Sequence, residues 1–147
     1  MFYDFKNYLK IKMMLSQNVQ LKSSNNKFLS VSQNGKSLLC DKSEKDSDIF
    51  IMKYEGRYVT FQTKGGKYLS ATVNGTLEAD KDKIGGTERF EIEWLDDEWF
   101  VLKSNNGNYI SVQKDGKIDI NQKNIEENEK FKLIVKRVES LIEFLCF

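Results

Sequence analysis

The sequence contains no histidine. That removes histidine-based triads, a histidine pH switch and most zinc sites, all of which rest on an imidazole. Arginine is scarce, with only Arg57, Arg89 and Arg137, so bidentate forks for phosphate are few. An excess of one charge is missing as well. Lys+Arg number 23 and Asp+Glu 22, for a net charge of +1, which speaks against a nucleic-acid binder, because such proteins carry a basic excess. Cysteine is limited to Cys40 and Cys146. Two thiols make neither a disulfide framework nor a metal pattern, and reduced thiols in the cytoplasm are the expectation. No apolar run reaches the ~20 residues of a membrane helix, so no integral membrane segment is expected. The N-terminal stretch MFYDFKNYLKIKMML is apolar but interrupted by Asp4, Lys6, Lys10 and Lys12. It lacks a small-residue cleavage site, so it does not read as a signal peptide. Asn74-Gly75-Thr76 has the form of a glycosylation sequon and reads as a turn.

What is present is a repeat. The chain has 147 residues, 39% hydrophobic and 31% charged, which suits one globular domain with one modest core. Within it, Lys27-Phe28-Leu29-Ser30-Val31 returns as Lys67-Tyr68-Leu69-Ser70-Ala71 and again as Asn108-Tyr109-Ile110-Ser111-Val112. Each unit then shows Asn34-Gly35, Asn74-Gly75 or Asp115-Gly116, and later Phe50, Phe90 or Phe131. An acid, Asp48, Glu88 or Glu129, stands two residues before that phenylalanine. Leu21, Phe61 or Leu102 precedes the first aromatic. Five landmarks recurring in register three times mark a true internal repeat.

Each unit reads as four short strands. Asn-Gly and Asp-Gly are strong hairpin signals and predict type I′ turns between the second and third strands. Asn25-Asn26, Gly65-Gly66 and Asn106-Gly107 predict turns between the first and second. The intervening segments alternate with period 2, as in Leu29/Val31, Leu69/Ala71 and Ile110/Val112, and helical periodicity is missing across residues 19–135. Propellers need about four or more blades. Three four-stranded units are therefore predicted to close into a barrel capped by hairpins, which leaves no sheet edge exposed. This is an all-β, pseudo-threefold β-trefoil. Its core is expected in threes: Leu21/Phe61/Leu102, Leu29/Leu69/Ile110, Val31/Ala71/Val112, Leu38/Leu77/Ile118, Phe50/Phe90/Phe131 and Met52/Ile92/Leu133.

The segments Val19-Gln20-Leu21-Lys22-Ser23, Gly66-Lys67-Tyr68-Leu69-Ser70-Ala71 and Val101-Leu102-Lys103-Ser104-Asn105-Asn106-Gly107-Asn108-Tyr109-Ile110-Ser111 resemble the fascin and hisactophilin group of β-trefoils. Ile84-Gly85-Gly86-Thr87-Glu88-Arg89-Phe90-Glu91 is similar to the loop before the fourth strand in fascin-type units. The resemblance covers residues 19–135 and implies a non-catalytic, cytoplasmic module that binds actin. The chain differs from hisactophilins in having no histidine and no acylation signal, and from fascins in carrying one trefoil. The glutamine-x-tryptophan signature of ricin-type sugar-binding trefoils is absent. A carbohydrate-binding module is the alternative, with exposed aromatics such as Trp94 as its handle.

Candidate sites follow from residue chemistry. Lys81, Lys83 and Arg89, with Lys64 and Lys67, are expected to give repeat 2 a basic face and the contact with acidic filamentous actin; solvated surface lysines are the plainer reading. Asp80-x-Asp82-x-x-Gly85 with Glu91 imitates a calcium-loop spacing, but Ile84 replaces a ligand and strands flank it, so chance is the expectation. Asp96-Asp97-Glu98 reads as an acidic turn between repeats, not a glycosidase pair. Cys40 aligns with Ala79 and Ile120 and reads as a core thiol. No cofactor or metal is expected.

Three segments result: an N-terminal extension 1–18, the β-trefoil 19–135 and a C-terminal tail 136–147. Met13 or Met14 is an alternative start, which would set residues 1–12 apart. The stripe Val135, Val138, Leu141, Ile142 and Leu145 predicts a C-terminal helix. It is expected to pack on residues 1–15, within one chain or across a homodimer.

Overall fold

The alternation of inward apolar and outward polar side chains is realised as twelve antiparallel strands. The computed structural model describes residues 16–136. Repeat 1 contains β1 (Ser16–Ser23), β2 (Phe28–Val31), β3 (Leu38–Lys42) and β4 (Phe50–Glu55). Repeat 2 contains β5 (Tyr58–Gln62), β6 (Tyr68–Ala71), β7 (Leu77–Lys81) and β8 (Phe90–Trp94). Repeat 3 contains β9 (Trp99–Lys103), β10 (Tyr109–Val112), β11 (Ile118–Gln122) and β12 (Phe131–Lys136). The helical content among the described residues is two single turns of 3-10 helix, Gly86–Glu88 and Glu127–Glu129.

Six strands close a ring. β1 pairs with β4, β4 with β5, β5 with β8, β8 with β9, β9 with β12, and β12 with β1. A closed ring has no free edge. The remaining strands form three hairpins, β2–β3, β6–β7 and β10–β11, each with a bulge near its first aromatic. The hairpins are tied in a cycle by three main-chain hydrogen bonds. Ala79 N–H donates to Lys36 O at 2.7 Å, Ile120 N–H to Gly75 O at 2.7 Å, and Cys40 N–H to Gly116 O at 2.8 Å. This is the β-trefoil that the repeat predicts.

The hairpin turns differ from expectation in type. A type I′ turn needs φ > 0 at both central residues. Here Gly35, Gly75 and Gly116 have φ of 74°, 77° and 88°, whereas Asn26 is the one non-glycine residue with positive φ among those described. Gly35 N–H instead donates to Ser32 O at 2.9 Å and Gly116 N–H to Gln113 O at 2.9 Å. The backbone first makes a tight turn with negative φ and then reverses through a left-handed glycine. Asn34 Oδ1 accepts from Lys36 N–H at 2.8 Å. Asparagine serves as a side-chain acceptor here, not as a left-handed residue.

The core matches the threefold sets in most positions. Phe50, Phe90 and Phe131 are 0%, 0% and 1% exposed, and they converge with the Leu21, Leu29 and Leu38 sets around the axis. A void of about 10 Å³ remains there, below or at the size of one water. Val31, Ile92 and Leu133 are only partly buried and lie against the core's margin. A further set, Val19/Val59/Phe100, is fully buried. It shares the inward face of its strands with Leu21/Phe61/Leu102, as period 2 requires. Val135, read as the start of a helical stripe, stands in β12 opposite Val19. Lys136, assigned to the tail, also belongs to β12, opposite Asn18. The expected packing of residues 1–15 against 137–147, and the homodimer through these tails, lie outside the described residues.

Candidate functional site

The loop that carries Arg89 is held from below by a buried acid. Ser70 on β6 donates to Glu88 Oε2 at 2.6 Å, and Gly85 N–H donates to Glu88 Oε1 at 2.7 Å. Thr87 Oγ1 also contacts Glu88 Oε2. Glu88 is 4% exposed. Burial by itself would raise its carboxyl, but the donors from Ser70, Thr87 and Gly85 outweigh it and hold the group below the usual carboxylate range. Repeat 3 repeats the arrangement: Ser111 donates to Glu129 Oε2 at 2.7 Å and Glu126 N–H to Glu129 Oε1 at 2.6 Å. In repeat 1 the shorter Asp48 accepts from Ser30 Oγ at 2.9 Å and Val31 N–H at 2.7 Å, and no 3-10 turn forms there. These three pairs fix where the segment before each fourth strand lies.

The predicted basic residues of repeat 2 divide into two groups. Lys67 leaves the β5–β6 turn that also contains Lys64, and the register Tyr68↔Lys81 brings the end of β7 beside it. Lys67 forms an ion pair with Asp82, between Lys81 and Lys83. Lys64, Lys81 and Lys83 are exposed and make no ion pair among the described residues. Arg89 does not join them. Its Nε lies 3.1 Å from Glu55 Oε2 on β4, on the side of the barrel facing repeat 3.

There Arg89 lines a groove of about 440 Å³ with Arg57, Tyr58, Gly86, Glu91 and Lys103. Arg57 lies 5.2 Å from the centroid of the Tyr58 ring and donates to Tyr58 Oη at 3.0 Å. Lys103 is 4.0 Å from Glu91 Oε2 and 5.8 Å from the Tyr109 ring centroid. Arg57 and Lys103 are absent from the sequence-based site. Arg57 stands in the β4–β5 turn between repeats, and Lys103 belongs to repeat 3. The available signal is Gly86, where the equivalent residue of repeat 3 is Glu127.

The other candidates occupy structural positions. Asp80 lies in β7 and Glu91 in β8, while Asp82 is held by Lys67. Among the described residues no three His, Cys, Asp or Glu side chains group as a metal site. Asp96 Oδ1 accepts from the Glu98 and Trp99 N–H groups at 2.8 Å, closing the β8–β9 turn. The Trp99 and Glu98 donors hold its carboxyl below the usual range. Cys40 is fully buried and its thiol donates to Lys27 O at 3.2 Å. Burial pushes that thiol up, away from the reactive thiolate. Trp94 is 45% exposed, with its ring tilted against Phe100 at 5.0 Å. No helix among the described residues is long and apolar enough to cross a membrane.

Comparison with known proteins agrees with this architecture. A designed protein with threefold symmetry, ThreeFoil, superposes with a TM-score of 0.69 at 16% identity, over 80% of this chain and 97% of that one. At that identity the likeness concerns the fold alone. Fascin-2 of Bos taurus is 27% identical over 117 residues, 78% of this chain. The matched stretch is 24% of the bovine protein, so the chain spans about a quarter of that relative's length. The fascin domain model matches residues 8–92 and again residues 37–133, two overlapping placements whose C-terminal ends lie one repeat apart. With matches extending across nearly the whole barrel, the chain belongs to the fascin domain family.

Proposed function

We propose that this chain is a non-catalytic, cytoplasmic binding module for actin or another acidic cytoskeletal protein, and that repeat 2 makes the contact. Membership of the fascin domain family carries this reading. The arrangement of cations supports its location. Lys64, Lys81 and Lys83 project from one turn and one strand end without a partner among the described residues, and a charged patch of this kind steers an acidic partner. Lys67 and Arg89 are already paired with Asp82 and Glu55, so they contribute less net attraction and more orientation.

The carbohydrate-binding alternative finds less support. A threefold lectin would present three equivalent aromatic platforms. The residues equivalent to exposed Trp94 are the partly buried Tyr54 and the aliphatic Val135.

Co-sedimentation with filamentous actin, beside a glycan array, separates the two readings. The K81E/K83E double variant should pellet less than the wild type. Unchanged pelleting moves the contact away from repeat 2, and threefold sugar binding without pelleting replaces the reading altogether.

A further inference from the structure

We propose that the groove between repeats 2 and 3 binds a carboxylate-bearing segment of a partner protein, with Arg57 as its anchoring cation. This goes beyond the filament reading and does not rest on it, because Arg57 stands apart from the lysine cluster of repeat 2.

Pseudo-symmetry sets this junction apart from the one between repeats 3 and 1. Between repeats 3 and 1, Ser24 Oγ donates to Glu127 O at 2.6 Å and ties the two walls together. The equivalent residues between repeats 2 and 3 are Asn105 and Gly86, and no hydrogen bond joins them. Gly86 presents no side chain, and its main chain together with Gly107 forms part of the lining. The space left, about 440 Å³, lies in the range of ~300–1,000 Å³ typical of ligand pockets.

The charges there are also unlike those at the other junctions. The cross-strand pair Glu91↔Lys103 has Lys132↔Lys22 as its counterpart on β12 and β1, and Ile51↔Gln62 on β4 and β5. Arg57 is replaced by Glu98 at the equivalent turn of repeat 3. Arg89 and Lys103 each face an acid, Glu55 at 3.1 Å and Glu91 at 4.0 Å. Arg57 has no acid within ion-pair distance among the described residues and feels Glu91 only at longer range, and its single hydrogen bond to Tyr58 leaves most of its five donors free. Contact with the ring and hydroxyl of Tyr58 restrains the guanidinium before a ligand arrives, which reduces the ordering cost of binding. Three cations against two acids leave one unmatched positive charge. A single carboxylate on a planar fork balances that charge, whereas a dianionic phosphate beside Glu91 would overshoot it.

The test uses the full chain and two labelled decapeptides, one alternating Glu with Gly and the other Gln with Gly, followed by fluorescence anisotropy at low salt. The wild type should bind the Glu peptide and not the Gln peptide. Arg57→Gln should weaken binding by at least about tenfold, the scale of a lost charge-assisted hydrogen bond. Gly86→Gln should do the same by filling the groove. A Cβ there meets nothing closer than Asn105 Nδ2 at 3.9 Å, so the fold should tolerate it, and circular dichroism checks that. Lys114→Gln, an exposed charge on the β10–β11 turn that does not line the groove, should leave binding within about twofold. Failure of the wild type to bind, equal binding by Arg57→Gln, or an equal loss in Lys114→Gln would each overturn the proposal.

Discussion

Ser70 donates to Glu88 across 2.6 Å inside the protein, joining the second strand of repeat 2 to the loop before its fourth. The same bond recurs as Ser111 to Glu129. The serine and the acid stand 18 residues apart in both repeats. This contact locks the Gly85–Arg89 segment and so sets the position of Arg89. Ser70→Ala should leave a buried carboxylate short of one donor and destabilise the chain by about 1–3 kcal/mol. Ser111→Ala should cost a similar amount. Ser30→Ala should cost less, because Asp48 is more accessible and keeps the Val31 N–H. Urea midpoints of the three variants check the order.

Stability should fall on the acid side. The folded-state carboxyl of Glu88 titrates below the ordinary glutamate value of about 4.3. As pH drops, the unfolded chain therefore takes up its proton first. The contribution of Glu88 is complete above the unfolded value and is lost as pH falls through the folded one. Asp96, also lowered, acts in the same direction. Glu88→Gln should be less stable than the wild type at pH 7 and show a shallower decline in urea midpoint from pH 5 to pH 3. An equally steep decline would remove Glu88 from this role.

Phe90→Ala should destabilise the barrel by about 3–5 kcal/mol, since Phe90 is fully buried and packs on Phe61 at 6.5 Å between ring centroids. Phe50 and Phe131 occupy the same place in the other repeats, and their alanine variants should fall in the same range. Chemical denaturation measures all three.

Two equivalent glycines should respond differently to alanine. Gly35 has φ of 74° and open space where a Cβ would stand, whereas at Gly116 an added Cβ would lie 3.0 Å from Cys40 O. Gly35→Ala should cost the left-handed backbone term alone, ~1–2 kcal/mol. Gly116→Ala should cost clearly more, because it also pushes on the strand that Gly116 binds through Cys40 N–H. Equal thermal shifts would contradict the packing at the cap.

Much of the fold is legible in the chain. Phe50, Phe90 and Phe131, spaced by one repeat, mark both the core and the pseudo-threefold axis, and the acids Asp48, Glu88 and Glu129 sit at constant offsets from them. Their serine partners are visible as part of the motif, but not as bonded to the acids, because the link spans 18 residues and depends on how the loop folds back. The turn type is not legible, because Asn34 and Asp115 act through side-chain oxygens, which composition does not distinguish from left-handed backbone. The basic cluster is legible as a sum of lysines. The groove is not, because it is built from Arg57, Gly86 and Lys103 of different repeats. Its openness depends on a side chain that Gly86 lacks.

Binding of an acidic filament by the basic face of repeat 2 is the property on which the functional reading turns. Co-sedimentation of the wild-type chain with filamentous actin over a salt series measures it without intermediaries. Pelleting should be strongest at low salt and decline past physiological ionic strength, where exposed charges are screened beyond ~8 Å. The K81E/K83E variant should pellet weakly throughout. Absence of pelleting at every salt concentration, or pelleting that salt and charge reversal leave unchanged, would contradict that reading.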